Sequence, residues 1–275
     1  MRSASKMAPS AAEFASAWGQ PTSTLDWCEE NYLASPYIAE LWNSLSSVVI
    51  IGIPIISLLS FSLWNVEKRF FVACWCFLAV GISSLAFHMT LLYETQLMDE
   101  LSMIWGGCVL VYLFFSHDSK PNSNSLPLVA FLLLYALCVT LIYLLTKEPV
   151  FHQVAFSLQV ITVMLRGIQR KYSYSGSLRL LFFSLVLYSV GFVLWLTDTA
   201  FCLHLRSIRA FLPTPVGVVL QFHAWWHTLS SLGTHCLFVA CCHSRYMFLK
   251  RNPRIWMVGC LPLVALDATE NGRIH

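Results

Sequence analysis

The stretch P-L-V-A-F-L-L-L-Y-A-L-C-V-T-L-I-Y-L-L-T, residues 127–146, runs for 20 residues without a charge. An α-helix of that length rises about 30 Å, the thickness of a bilayer's hydrocarbon core. A helix on the surface of a soluble domain carries polar residues along its outer face. This one has no charged face at all, so it reads as a membrane span. The segment before it, S-H-D-S-K-P-N-S-N-S-L-P (116–127), reads as a loop, because Pro, Asn and Ser interrupt helical continuity there.

Six further apolar windows of roughly the spanning length lie near 42–63, 70–90, 97–115, 150–168, 179–198 and 217–241. Composition agrees: 57% of the 275 residues are hydrophobic and 11% are charged, whereas soluble domains carry about a quarter charged residues. The expected fold class is an all-α integral membrane protein, a seven-transmembrane helix bundle. Three regions follow: a polar N-terminal segment over 1–25, a seven-helix membrane domain over 26–243, and a cytosolic C-terminal tail over 244–275. Residues 1–25 lack the apolar stretch of a signal peptide, so the first span is expected to direct insertion. Met7 is a second candidate start. Pro54, inside the first span, is expected to kink it unless neighbours satisfy the freed carbonyl.

Net charge is only +3, and the basic residues form short clusters between apolar runs. That excludes a nucleic-acid-binding surface, and no protein partner can be inferred. The basic residues do set an orientation. With the N-terminus outside, Lys68, Arg69, Lys120, Arg166, Arg170, Lys171, Arg179, Arg245, Lys250, Arg251, Arg254 and Arg273 fall inside. Only Arg2, Lys6, Lys147, Arg206 and Arg209 stay outside. Twelve against five favours N-out and C-in by the positive-inside rule.

This orientation brings polar residues from separate spans to one depth. In Q-F-H-A-W-W-H-T-L-S (221–230), His223 and His227 stand four apart at the outer end of the seventh span, so their imidazoles share a helix face. His88, in G-I-S-S-L-A-F-H-M-T, closes the second span at the same level, and Asp99, in L-M-D-E-L, opens the third. Each histidine alone reads equally well as a packing residue with one hydrogen bond. Together, three neutral imidazoles with an open fourth position form a catalytic zinc arrangement, which lowers the pKa of bound water to about 7. His235 lies deeper and is rotated about 120° from His223 at about 100° per residue, so it is read as packing. Ser84, one turn before His88, could donate to an oxyanion or bond back to its own helix. Asp99 could shuttle a proton or sit solvated at the interface, as is expected of Glu100. Asp198, in W-L-T-D-T-A-F-C, could accept from the second ring nitrogen of a ligand histidine or simply end its helix.

Before the first span, L-D-W-C-E-E-N-Y with Glu40 beyond it gathers Asp26, Glu29 and Asn31. Such oxygen atoms suit Ca²⁺, though the spacing is not that of an EF-hand. Composition favours an acidic interfacial segment instead. Most of the ten cysteines lie within spans. Cys28 and Cys202 are both expected outside, where disulfides are permitted, and they are the pair we would join.

The chain resembles the alkaline ceramidases over almost the whole membrane region. The resemblance is carried by S-T-L-D-W-C-E-E-N-Y, Y-I-A-E-L-W-N, F-H-M-T-L with Q-L-M-D-E-L, K-E-P-V-F-H-Q-V, and Q-F-H-A-W-W-H. It implies a seven-helix intramembrane amidase that hydrolyses ceramide within the bilayer to a sphingoid base and a fatty acid. It implies catalytic zinc on His88, His223 and His227, with Ser84 and Asp99 completing the catalytic set. It further implies calcium held by Asp26, the carbonyl of Trp27, Glu29, Asn31 and Glu40, and a disulfide between Cys28 and Cys202. By the same resemblance the membrane is that of the endoplasmic reticulum and Golgi apparatus, with the N-terminus lumenal. One departure stands out: after W-N the chain reads S-L-S-S (44–47), where the family pattern leads us to expect Asn near the second Ser. It is expected to touch no proposed ligand. A reading of a different class is a seven-helix lipid receptor whose zinc is structural.

Overall fold

The computed structural model describes residues 15–64, 66–121, 123–169 and 175–266. Arg2, Lys6, Arg170, Lys171, Arg273 and the two candidate starts lie outside the described residues. The long helices are α1 (Leu41–Ser62), α2 (Lys68–Thr90), α3 (Tyr93–Phe115), α4 (Leu126–Thr146), α5 (Pro149–Gln169) and α6 (Ser175–Ala200). They are followed by α7 (Cys202–Phe211), α8 (Thr214–Gly217) and α9 (Phe222–Phe248). A hairpin of β1 (Arg254–Val258) and β2 (Leu261–Ala265) completes the described chain.

Among the described residues, six helices, α1 to α6, are long and apolar enough to cross a membrane. Their limits fall within a few residues of the expected windows. The seventh expected span departs from that pattern. α9 has 27 residues but carries four histidines along with Ser, Thr and Arg, which lower its hydropathy. It also begins at Phe222 rather than 217, because residues 214–220 coil into α8 and a 3₁₀ turn. α1 runs through Pro54 as one helix.

The turns between helices are local. α2 stops where Leu91 takes a left-handed conformation, φ 51°, and donates its N–H to the Phe87 carbonyl at 2.8 Å. α4 stops the same way at Lys147, φ 54°, and Pro149 then starts α5, a position where the missing N–H costs nothing. α1, α2, α3, α6 and α9 form the packed centre. At the α1–α2 crossing, a Cβ on Gly81 would lie 2.8 Å from the Ile51 backbone nitrogen, so the helices approach as closely as they do only with glycine there. α5 hangs on α3 by two side chains. His152 Nε2 donates to the Glu100 carbonyl at 2.8 Å, and Gln159 Nε2 to the Ile104 carbonyl at 3.0 Å. On its other side α5 scarcely touches α6.

At the end of α9, buried Arg245 pairs with Glu67 at 3.0 Å and donates to the carbonyls of His117 and Ser119. This ties the α1–α2 and α3–α4 connections to α9. Beyond it, the expected tail contains the hairpin. Leu263, Val264 and Leu266 are buried, and His235 Nε2 donates to the Pro262 carbonyl at 2.7 Å. His235 is therefore a satisfied packing residue in this fold.

Candidate metal centre

The acidic segment folds back onto the helix it precedes. Glu29 accepts from the N–H groups of Trp42 at 2.7 Å and Asn43 at 2.9 Å, two of the donors that a helix start leaves without partners. Glu40, fully buried, accepts from Asn43 Nδ2 at 3.2 Å and contacts His88 Nδ1 at 2.5 Å. Glu40, at the end of the acidic segment, thus touches both α1 and α2.

His88 from α2 and His223 and His227 from α9 come together. Their candidate ligand atoms all lie within 4.8 Å of one another, and all three residues are buried. The hydrogen bonds fix the tautomers. Once ionised, Glu40 only accepts, so His88 then carries its proton on Nδ1 toward it, leaving Nε2 bare. Ser46 Oγ donates to the Asn43 carbonyl and so accepts from His227 Nδ1 at 2.9 Å, which bares that Nε2 as well. His223 stacks on Trp27 with ring centroids 3.9 Å apart, and its Nδ1 is buried without a partner. Two oriented imidazoles and a third with an unpartnered nitrogen fit a divalent transition metal. Ser46 is the second Ser of the S-L-S-S departure. Contrary to expectation, that departure touches a candidate ligand, because helix α1 turns it toward α9.

The cluster stands at the head of a cavity of about 910 Å³, large enough for a lipid-sized ligand. Ser84, Asp99, His223 and His227 all line it, and its remaining wall is largely apolar. Ser84 is buried with its Oγ 3.1 Å from Ser47 Oγ. Ser47 already donates to the Asn43 carbonyl, so Ser84 is the donor of that pair. Leu158, Ile161 and Leu165 of α5 and Leu185 and Phe192 of α6 line the cavity while remaining outwardly exposed. The cavity therefore opens sideways between α5 and α6.

The acidic segment also gathers. Asn31 Nδ2 donates to Asp26 at 3.0 Å, while Asn31 Oδ1 and Glu40 Oε1 are buried acceptors without a partner. Burial pushes Glu29 and Glu40 up to about 8, and neighbouring carboxylates push the same way. Orphaned acceptor oxygens among carboxylates that repel one another fit a hard divalent cation. From the other side, Arg206 donates to the carbonyls of Trp27 at 3.3 Å, Cys28 at 3.1 Å and Glu29 at 2.9 Å. Arg209 reaches the Cys28 carbonyl and pairs with Glu30 at 3.0 Å.

The disulfide between Cys28 and Cys202 is formed and fastens this segment to α7. Asp198 accepts from the N–H of Cys28 at 3.3 Å and from the main chain of Phe222 and His223. It therefore holds the first turn of α9, not a ring nitrogen. Glu100, expected to be solvated, is buried against Tyr143, Gln96 and His152. Sequence reasoning missed Ser46, Ser47, Asn43, Arg206 and His152. The available signals were a run of hydroxyls in an otherwise apolar span and the stretches Y-I-A-E-L-W-N and K-E-P-V-F-H-Q-V, which hold Asn43 and His152.

These features define an all-α membrane protein with a buried three-histidine centre above a lipid-sized cavity that opens between α5 and α6. The chain belongs to the ceramidase family: the family model described as Ceramidase matches residues 19–265. It is 40% identical over 252 residues to alkaline ceramidase 3 of Mus musculus, covering 91% of this chain and 94% of that protein. It is 34% identical to alkaline ceramidase YPC1 of Saccharomyces cerevisiae, over 85% of this chain and 80% of that protein. An alkaline ceramidase of Arabidopsis thaliana is 28% identical over 91% of this chain and 95% of its own length. Nothing in these relationships supports a receptor.

Proposed function

We propose that this protein hydrolyses the N-acyl bond of ceramides, releasing a sphingoid base and a free fatty acid. The observation that carries this is a buried three-imidazole cluster opening onto a lipid-sized cavity, in a chain whose relatives are alkaline ceramidases. The metal would be zinc, held by His88, His223 and His227. Bound there, zinc would supply Lewis acidity to a water molecule and to the amide carbonyl.

The chain's own groups do the rest. The two lipid chains occupy the apolar cavity, which strips water from the reacting amide. Asp99 takes a proton at a carboxylate oxygen from the attacking water and returns it to the departing nitrogen. Ser84 Oγ, which donates to Ser47 at rest, turns its proton toward the oxygen that becomes negatively charged. Glu40 and Ser46 hold the imidazoles of His88 and His227 in the tautomer that presents Nε2. Calcium, held by Asp26, the Trp27 carbonyl, Glu29, Asn31 and Glu40, would relieve the repulsion among the carboxylates and fix Glu40 in place.

In this proposal α9 is the seventh span, the N-terminus faces the lumen of the endoplasmic reticulum or Golgi apparatus, and the C-terminal tail is cytosolic. The positive-inside count supports this orientation. So does the Cys28–Cys202 disulfide, which needs an oxidising compartment. The test is fatty-acid release from a labelled ceramide by detergent-purified protein, with and without a zinc chelator. Chelation should abolish release, and His88→Ala should lose both metal and turnover. A His88→Ala protein with full zinc and full turnover would overturn the mechanism.

A further inference from the structure

Beside the candidate metal centre, the cavity wall carries a polar pair that the proposed chemistry does not use. Glu100 follows Asp99 on α3, and His152 stands in the first turn of α5. Both line the cavity, and both are buried, at 5% and 3% exposure. Most of their hydrogen-bonding capacity is committed. Glu100 Oε2 accepts from the Tyr143 hydroxyl and, at 3.0 Å, from Gln96 Nε2. His152 Nε2 donates to the main-chain carbonyl of Glu100 at 2.8 Å. A carbonyl only accepts, so Nε2 carries the ring proton and Nδ1 of the neutral ring is a bare lone pair. That Nδ1 is buried without a hydrogen-bond partner, 3.6 Å from Glu100 Oε1. The spacing is too long for a hydrogen bond, and both atoms are acceptors. The gap between them calls for a donor.

We propose that Glu100 and His152 recognise the primary hydroxyl of the sphingoid headgroup; this rests on the ceramide-hydrolysis reading above. For attack, the substrate amide must sit among His223, His227, Ser84 and Asp99. The headgroup hydroxyls are only a few bonds from that amide, so they meet the wall next to Asp99. Glu100 is the adjoining residue there. An alcohol can donate to one acceptor of the pair while staying in contact with the other, and it is uncharged, as an apolar cavity requires. Replacing the hydroxyl hydrogen with a phosphodiester or a sugar removes the donor at that position. It also adds bulk where Tyr143 and Gln96 already close the space behind Glu100. The pair would therefore select amides whose headgroup hydroxyl is free. Glu100 and His152 become specificity-determining residues, distinct from the groups that move protons.

The test compares ceramide with 1-deoxyceramide, which lacks that hydroxyl and is otherwise the same amide. In the wild-type protein, kcat/KM should favour ceramide by about 10- to 100-fold, the range expected for a hydrogen bond to a buried charged group. Glu100→Gln keeps an acceptor for Tyr143, and His152→Gln keeps a donor for the Glu100 carbonyl. In both variants the ratio should collapse toward one. Product binding gives a second readout: sphingosine should raise the wild-type melting temperature more than 1-deoxysphingosine does, and the variants should lose that difference. Wild-type protein that hydrolyses both amides equally well overturns the inference without reference to any variant. Variants that fold and keep the wild-type ratio overturn it too. Protein that hydrolyses neither amide instead counts against ceramide hydrolysis itself.

Discussion

Replacing Glu40 with glutamine keeps the shape of the side chain and removes its charge. Glu40 is fully buried, and its contact with His88 Nδ1 is 2.5 Å, so the bond is charge-assisted when Glu40 is ionised, above about pH 8 or beside a bound cation. Bonds of that kind contribute about 1.5–3 kcal/mol. At about 1.4 kcal/mol per decade, that is roughly a 10- to 150-fold change in an equilibrium constant. The loss falls on the metal-bound form, because the carboxylate strengthens Nε2 as a ligand and holds its direction. Ser46 supports His227 at 2.9 Å with a neutral hydroxyl, worth about 0.5–1.5 kcal/mol or roughly 2- to 12-fold. Glu40→Gln should therefore weaken zinc binding more than Ser46→Ala does. Competition against a chromophoric chelator, with elemental analysis of the purified proteins, measures both. Wild-type zinc affinity in Glu40→Gln, or a larger loss in Ser46→Ala, would refute the idea that the carboxylate acts through His88.

Glu29 and Glu40 make a pH signature. Their pKa values stand near 8 in the folded protein, against 4.5 for an ordinary glutamate. The folded state thus holds protons that the unfolded state releases, and the associated stability is complete below pH 4.5 and lost as pH rises through about 8. Calcium-free protein should lose up to about 5 kcal/mol for each of the two groups across that window, and added calcium should restore it most at the alkaline end, as thermal denaturation in detergent would register. Gly81→Ala should destabilise the protein by about 1–3 kcal/mol, because its Cβ meets the α1 backbone; an unchanged melting temperature would mean the crossing gives way freely. Ser84→Ala should slow turnover about 10²- to 10³-fold with zinc content unchanged, measured by single-turnover hydrolysis beside metal analysis.

Apolar spans were legible because a bilayer demands them: α1 to α6 announce themselves by length and lack of charge. α9 was placed less accurately, since the apolar V-V-L just before it (218–220) coils into a 3₁₀ turn instead of extending the helix. The three histidines could be brought to one depth from topology alone. Their supports could not. Glu40 and His88 stand 48 residues apart, and they meet because Gly81 lets α1 and α2 approach closely. Glu100 looked like a solvated neighbour of Asp99. A rotation of about 100° between adjacent helix residues instead turns it toward Tyr143 and His152. The hairpin was hidden because L-P-L-V-A is too short to signal a span, and its burial depends on packing against α9.

The candidate metal ligands belong to α2 and α9, braced by α1, whereas the lateral opening lies between α5 and α6. α5 leans on α3 through His152 and Gln159 and barely meets its other neighbour. The α5 side of that wall can therefore shift or change its side chains without straining the three candidate ligands, whereas α6 packs along α9 and moves with it. Admission and reaction are assigned to separate mechanical parts. Bulk added at Leu158 on α5 alters which chains slip in and how quickly, while the ligand-bearing helices keep their geometry.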